Sequence, residues 1–149
     1  MADIHYKIQF FSYWHCGSGL AAGADVDALV VRDKCNLPFV PGKTMKGLVR
    51  EAIENISAFK KRDNKDLINK TFGYFKDKDN SSKGSVFFTN AELEQNESKA
   101  IVGNDLQKYL YSTLSSTAIQ DDGIAKDHTL RKMEVVVPCT LYGSIKNVP

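Results

Sequence analysis

Residues 24–52 read A-D-V-D-A-L-V-V-R-D-K-C-N-L-P-F-V-P-G-K-T-M-K-G-L-V-R-E-A, and the interpretation of the whole chain starts from this stretch. It contains an acidic loop, a short apolar run and a Pro-Gly turn. A helix is predicted to begin after the turn, with Lys43, Lys46 and Arg50 on its first turns. Backbone N–H groups at a helix start, together with nearby cations, suit a phosphate. The stretch therefore predicts an anion-binding turn, with an acid close enough in sequence to act on that phosphate.

The predicted helix is amphipathic, because its apolar residues recur at three-to-four spacing. They are Met45, Leu48, Val49, Ala52, Ile53, Ile56 and Phe59. Thr44 is predicted as the N-cap or a first-turn residue. Gly47 lowers helix stability, so we expect a neighbouring element to pack closely against it. Cations at a helix start interact unfavourably with the partial positive charge of the helix macrodipole. An anionic partner would explain their presence there. The alternative is a solvated surface on which Arg50 pairs with Glu54.

Two glycine-containing segments resemble parts of nucleotide-binding motifs. The G-K-T at 42–44 would end a P-loop. That motif requires a glycine five residues before Gly42, where this chain has Leu37, so ATP binding by a P-loop is excluded. Residues 15–24 include Gly17 and Gly19, which allow a close approach to a phosphate. Their spacing matches no dinucleotide motif, so they indicate only a loop that can approach a backbone closely.

The composition is that of one soluble globular domain. The chain has 149 residues, of which 42% are hydrophobic and 26% charged. Its formal net charge of +2 does not by itself indicate nucleic-acid binding. No apolar run is long enough to span a membrane, and no signal peptide is recognisable. The three cysteines are widely spaced, which argues against a disulfide framework and predicts a cytoplasmic location.

Period-two patterns predict strands on both sides of the helix. In residues 4–14, the apolar side chains of Ile4, Tyr6, Ile8 and Phe10 share one face. Further strands are predicted at 29–31, 84–89 and 133–145, with Pro138 at a bulge or edge, a second helix at 66–72, and a loop or weak helix at 95–108. The sequence thus predicts an α+β fold.

Six segments also match, in order, the pattern of a known family. They are W-H-C-G-S-G at 14–19, V-D-A-L-V-V-R-D at 26–33, L-P-F-V-P-G-K-T-M-K-G-L-V-R at 37–50, T-F-G at 71–73, G-S-V-F-F-T-N-A-E-L at 84–93, and residues 116–134. The family that they resemble is the RAMP superfamily (repeat-associated mysterious proteins), in particular the backbone subunit of type III CRISPR effector complexes. The element P-G-x-x-x-K-G-x-x-R within 37–50 is the most specific of the matches.

The resemblance implies a ferredoxin-like, RRM-like βαββαβ core with insertions. It implies a single domain over 1–149, with a thumb-like, RNA-contacting insertion at about 95–132. Family members continue with a second helix, a Gly-rich loop and a last strand, whereas this chain ends at Pro149. We therefore expect it to cover about two thirds of a family domain and to need a partner or oligomer over its exposed sheet edge.

The resemblance implies that the protein binds CRISPR guide RNA in a stack of related subunits and helps to cleave complementary target RNA. Guide–target base pairing then supplies sequence recognition, while the protein grips the RNA backbone. Partners would be guide RNA, target RNA, other effector subunits and copies of related subunits, with no membrane. The implied RNA-binding residues are His15, Gly17, Gly19, Arg32, Lys43, Thr44, Lys46, Arg50, His128, Arg131 and Lys132.

The resemblance also implies that Asp27 is catalytic, because in many such subunits a loop aspartate just before an Arg-Asp turn cuts the target. In that metal-dependent reaction the ribose 2′-hydroxyl attacks the adjacent phosphate, and Asp27 could hold Mg²⁺ or take the hydroxyl proton. A lone loop aspartate is, however, often a turn or capping residue. Two alternatives remain: a non-catalytic guide-binding or assembly subunit, and a guide-processing endoribonuclease that uses His15 or His128.

Overall fold

The computed structural model of the chain describes residues 2–22, 26–56, 62–75, 77, 80–119, 124 and 129–148. Within these ranges it contains three α-helices and seven β-strands. The helices are α1 (Gly42–Asn55), α2 (Arg62–Phe72) and α3 (Gln95–Gly103), and one turn of 3₁₀ helix covers Gln107–Leu110. The strands are β1 (Ala2–Gln9), β2 (Gly73–Phe75), β3 (Ser81–Lys83), β4 (Phe87–Phe88), β5 (Tyr111–Ser116), β6 (Arg131–Val136) and β7 (Thr140–Val148). The predicted α+β fold is confirmed. None of the helices in these ranges is long and apolar enough to cross a membrane.

The chain divides into two compact units. The first comprises Met1–Ile8, Val40–Glu92 and Tyr142–Pro149, and the second comprises Gln9–Phe39 and Leu93–Leu141. Each unit is therefore assembled from segments that are distant in sequence.

The first unit is built on a three-stranded sheet with the strand order β1-β7-β4. β4 is antiparallel to β7, with Phe87 opposite Lys146 and Phe88 opposite Ile145. Helix α1 packs against β4 and α2. The buried apolar residues are Val40, Ile68, Val86, Phe88 and Ala91. β1 ends at Gln9, five residues earlier than predicted, because the chain leaves the sheet before the aromatic residues that follow.

The close approach of α1 to β4 requires a glycine at the helix start. A Cβ atom built on Gly42 would lie 2.1 Å from the carbonyl oxygen of Phe88. The Gly42 N–H group donates to Oδ1 of Asn90 at 3.0 Å. The sequence predicts this close packing at Gly47 instead. Among the described residues, no atom lies within 4 Å of a Cβ built on Gly47, so that expectation is wrong.

Helix α2 leads into a hairpin formed by β2 and β3. The helix begins at Arg62, four residues before its predicted start, and the left-handed residue Gly73 (φ 82°) follows it. β2 and β3 are antiparallel, with Gly73 opposite Lys83. The strand predicted at 84–89 is reduced to β4. The N–H groups of Ser85 and Val86 donate to carbonyls of α2 and do not pair with a strand.

The second unit contains the antiparallel hairpin of β5 and β6, in which Tyr111 lies opposite Val136 and Ser116 opposite Arg131. Residues 95–108, predicted as loop or weak helix, form α3 and the 3₁₀ turn. The carboxylate of Glu94 caps α3 by accepting the N–H groups of its first turn. The buried apolar residues are Trp14, Val30, Leu37, Leu93, Val135, Val136 and Leu141.

Two predicted strands differ from the structure. The strand at 133–145 is two strands, β6 and β7, and Pro138 lies in the break between them. A proline cannot donate to a ladder, so the predicted bulge is an interruption. Residues 29–31 form no continuous strand, because successive residues pair with different partners: Ala28 with Met133, Val30 with Gly17 and Arg32 with Pro38.

Candidate nucleic-acid interface

In the second unit, two predicted site residues, Asp27 and His15, are hydrogen-bonded to the outer edge of β6. This edge consists of the backbone groups of Lys132, Glu134 and Val136, which bond to residues 14–28. The Lys132 carbonyl accepts the Asp27 N–H at 2.9 Å. The Glu134 N–H donates to the Ala28 carbonyl at 3.0 Å, and the Val136 N–H donates to the Trp14 carbonyl at 2.8 Å. The loop that carries Asp27 is thereby fixed to a strand.

The carboxylate of Asp27 is oriented by this edge. Its Oδ2 atom accepts the backbone N–H of Lys132 at 2.7 Å. Among the described residues, none donates a hydrogen bond to its Oδ1 atom, and the side chain is exposed. Asp27 therefore acts as a capping residue through one oxygen and presents the other to the solvent.

The imidazole of His15 is held two residues further along the same edge. Its Nδ1 atom lies 2.7 Å from the carbonyl oxygen of Glu134. Because a carbonyl can only accept, Nδ1 carries the proton, and Nε2 of the neutral ring is left as an acceptor. A Cβ on Gly17 would lie 3.1 Å from that Nε2 atom, so glycine lets the chain pass close to the ring. Gly19 has a φ of 78°, so this residue adopts the left-handed conformation.

Arg32, a predicted RNA contact, is engaged inside the protein. Its guanidinium forms an ion pair with Glu134 and donates to Oδ1 of Asn36 at 2.8 Å. Its Cζ atom lies 3.6 Å from the ring centroid of Tyr111. Burial raises the pKa of the Tyr111 phenol, an effect that the charge of Arg32 opposes. Glu134 also accepts the Val30 N–H at 3.0 Å, so it joins three segments of this unit.

The sequence interpretation missed Glu134 and Tyr111. The strand pattern identifies Glu134 only as an alternating residue. A single carboxylate in the apolar run M-E-V-V-V nevertheless indicates that it has a partner inside the protein. The RNA-binding role of Arg32 stays a prediction, and its contacts give it a structural role as well.

We expect Glu134→Gln to destabilise the protein by about 1.5 kcal/mol, because a charged hydrogen-bond partner of Arg32 is lost. The cost is moderate because 29% of the Arg32 side chain is exposed, and solvent screens the pair. Urea denaturation measures it, with Glu51→Gln on the exposed surface of α1 as the control. Equal stability of the two variants would contradict the structural role of Glu134.

In the first unit, the start of α1 offers fewer free N–H groups than predicted. Asn90 accepts the N–H of Gly42, and the carbonyl of Pro41 accepts those of Thr44 and Met45 at 2.9 and 3.1 Å. Pro41 is the N-cap residue and Thr44 lies in the first turn, without a side-chain cap. An anion at this helix start would therefore depend mainly on the exposed cation of Lys43.

Lys46 and Arg50, one turn apart on α1, make contacts within the first unit. Lys46 Nζ donates to the carbonyl of Val86 at 3.2 Å. Arg50 donates to Oε1 of Glu54 at 2.8 Å, which confirms the predicted i,i+4 pair. It also donates to Oδ1 of Asn69 and to the carbonyl of Gly73. The two terminal nitrogens of Arg50 thus tie α1 to α2 and β2, while Nε bonds within α1.

Three predicted RNA contacts belong to the predicted thumb-like insertion at about 95–132. Arg131 is exposed on β6 and Lys132 is half-buried beside it. His128 lies outside the described residues.

The described residues contain no group of three or more His, Cys, Asp or Glu side chains able to hold a metal ion by themselves. Cys16, Cys35 and Cys139 are free thiols, and burial raises the pKa values of Cys16 and Cys139.

Comparisons with solved structures reveal the same fold at low identity. The chain resembles one from a cryo-EM structure of the Type III-B Cmr-beta bound to cognate target RNA, with a TM-score of 0.73 and 11% identity over 97% of this chain and 84% of that one. It also resembles one from the apo state of Type III-B Cmr-beta, with a TM-score of 0.68 and 12% identity over 96% and 82%.

Sequence comparison identifies the family. No protein of curated function matches the chain. The pattern of the RAMP superfamily matches residues 7–144, which is most of the chain and includes segments of both compact units. The protein is a member of the RAMP superfamily.

Proposed function

We propose that this chain is an RNA-binding backbone subunit of a type III CRISPR effector complex and that it cleaves target RNA with Asp27. The family match over residues 7–144 is the observation that carries the first part of this proposal. The chain shares its fold with a chain of a Type III-B Cmr-beta structure that is bound to cognate target RNA, which supports target RNA and other effector subunits as partners. Guide RNA is the partner that the family resemblance implies.

The cations that are exposed and not used inside the protein are the preferred RNA contacts. Lys43 at the start of α1 and Arg131 on β6 meet this description among the predicted site residues in the described part of the chain. Arg32 and Arg50 are held by protein partners. Contacts from Lys and Arg to phosphates are independent of sequence and weaken with salt, as a subunit that grips any guide requires.

Asp27 has the geometry of a general base. With Oδ2 bonded to Lys132, its Oδ1 atom is free to take the proton of a ribose 2′-hydroxyl. The 2′-oxygen then forms a bond to the adjacent phosphorus, the bond from phosphorus to the 5′-oxygen breaks, and that oxygen takes up a proton. In the alternative role, Asp27 would hold Mg²⁺ as its single protein ligand, since this ion is commonly bound by one or two carboxylates plus substrate phosphates, and the ion would stabilise charge on the phosphate.

Two observations keep the alternatives testable. Asp27 accepts the Lys132 N–H, so it would have a structural role even in a non-catalytic guide-binding or assembly subunit. The acceptor atom Nε2 of His15 is what a guide-processing endoribonuclease would use as a base.

The proposed function is tested by recovering the tagged chain from its host and identifying the bound RNA and protein. We expect CRISPR guide RNA and the other subunits of a type III effector. Recovery of the chain without RNA and without these subunits would overturn the proposal.

Lys43→Ala and Arg131→Ala should each weaken guide binding and reduce its salt dependence. For a single-stranded RNA, the slope of log affinity against log salt should fall by about 0.7 for each phosphate contact removed. Titrations over a range of KCl concentrations measure the slope. Lys99→Ala on the exposed surface of α3 is the control, and a slope equal to that of the control would assign the two cations to plain surface.

A further inference from the structure

The first unit has a groove that no step of the proposed cleavage uses. This hairpin groove, of about 500 Å³, is formed by Lys46, Arg50 and residues 72–75 and 82–87. It has three cations, the third being Lys83, and none of the described residues that line it is acidic. A one-signed lining of this kind favours an anionic occupant.

Exposed aromatic rings lie among these cations. Phe75 is 77% exposed and Phe87 is 59% exposed, whereas the neighbouring ring of Phe88 is buried in the core. A large apolar ring that is left in solvent inside a groove marks a contact surface more often than a ring scattered singly. Tyr74 also lines the groove, and its hydroxyl is held by Oδ1 of Asn80 at 2.9 Å.

The register of the hairpin places a ring and a cation on one face. Gly73 lies opposite Lys83, and Phe75 follows two residues later on the same face. A Cβ on Gly73 would lie 2.6 Å from the backbone nitrogen of Gly84, so the close approach of the two segments depends on glycine.

The floor of the groove is rigidly held. The guanidinium of Arg50 donates to the carbonyl of Gly73 and to Asn69, and Lys46 donates to the carbonyl of Val86. These two side chains are thus held by acceptors within the first unit, whereas Lys83 is exposed and can meet a phosphate.

We propose that the hairpin groove binds single-stranded RNA, with a base stacked on Phe75 or Phe87 and its phosphate held by Lys83. The inference rests on the proposed function and adds a second contact surface to it. Stacking accepts every base, as a subunit that grips any guide or target requires. The volume is within the range of roughly 300–1,000 Å³ typical of small-ligand sites, which suits an unpaired nucleotide and not a duplex.

The experiment compares two exposed phenylalanines in the full chain. Phe75→Ala should lower the affinity for a fluorescent single-stranded oligouridylate by about 5- to 150-fold without changing the salt slope. Phe11→Ala, which removes an 85% exposed ring of the second unit, should leave the affinity unchanged. Phe75→Trp should restore binding, and Lys83→Ala should reduce the salt slope by about 0.7. Photocrosslinking of the same oligonucleotide carrying 4-thiouridine should label Phe75 or Phe87.

The outcomes separate this inference from the function on which it rests. If the parent chain binds the RNA and Phe75→Ala binds it as well as Phe11→Ala does, the groove inference is overturned while the proposed function stands. Loss of assembly with other subunits at unchanged RNA affinity would assign the groove to a protein partner and also overturn the inference. No RNA binding by the parent chain, alone or in its complex, would overturn both. Circular dichroism melting checks that each variant is folded.

Discussion

Asp27→Asn is expected to abolish cleavage of target RNA while the fold and the RNA affinity stay unchanged. An asparagine oxygen can still accept the Lys132 N–H, so the loop remains attached to β6. The amide cannot take a proton from a 2′-hydroxyl, and a positioned general base contributes about 10²–10⁴-fold to the rate. Cleavage should therefore fall by at least this range, with no change in thermal stability.

The measurement is single-turnover cleavage of a labelled target by the assembled complex. Asp33→Asn is a matched control, because Asp33 likewise caps backbone N–H groups, those of Cys35 and Leu37, at 2.8 Å. It should retain full activity. Asp27→Ala should lose both activity and some stability, since the Lys132 N–H then lacks its acceptor. Full cleavage by Asp27→Asn would move the chemistry to another residue and favour the purely capping role.

Gly42→Ala is expected to destabilise the protein by about 3 kcal/mol or more. The added methyl group would meet the carbonyl oxygen of Phe88 at 2.1 Å and its carbon at 2.8 Å. Both are backbone atoms of β4, so relief requires moving the helix or the strand. This loss is a large part of the roughly 5–15 kcal/mol that stabilises a typical domain.

Gly47→Ala on the same helix is the matched comparison. Its backbone is helical, and a Cβ there has no neighbour within 4 Å in the part of the chain that the structure describes, so alanine should stabilise α1 by about 0.5–1 kcal/mol. Urea denaturation of both variants gives the difference. Similar changes of the same sign in the two variants would show that helix propensity, and not the contact with β4, sets the role of Gly42.

The helix α1 and its Arg50–Glu54 pair could be predicted because both depend on residues three or four positions apart. The choice between Gly42 and Gly47 could not, since a close approach to β4 involves residues over forty positions away. β5 was missed for a related reason. Its serine and threonine residues carry no apolar alternation, and its stability comes from pairing with β6.

The candidate site divides in the same way. The family resemblance pointed to Asp27, His15 and the cations of α1, and local chemistry explained why such residues suit RNA. The atoms that orient Asp27 and His15 lie 105 and 119 residues away, on β6. Neither period nor spacing encodes contacts of that separation, so the capping role of Asp27 and the partnership of Arg32 with Glu134 emerged only from the structure.

The outer edge of β6 has a consequence for how the protein is made. Residues 14–28 leave the ribosome long before residues 131–136, so the loop with Asp27 can pair with its strand only after the chain has grown by the 105 residues that separate Asp27 from Lys132. Contacts over such distances form slowly, because the entropy of closing a long loop is lost before they are gained. A nascent chain that lacks β6 would thus carry an unoriented Asp27, and the proposed cleavage of RNA would require β6 to be in place.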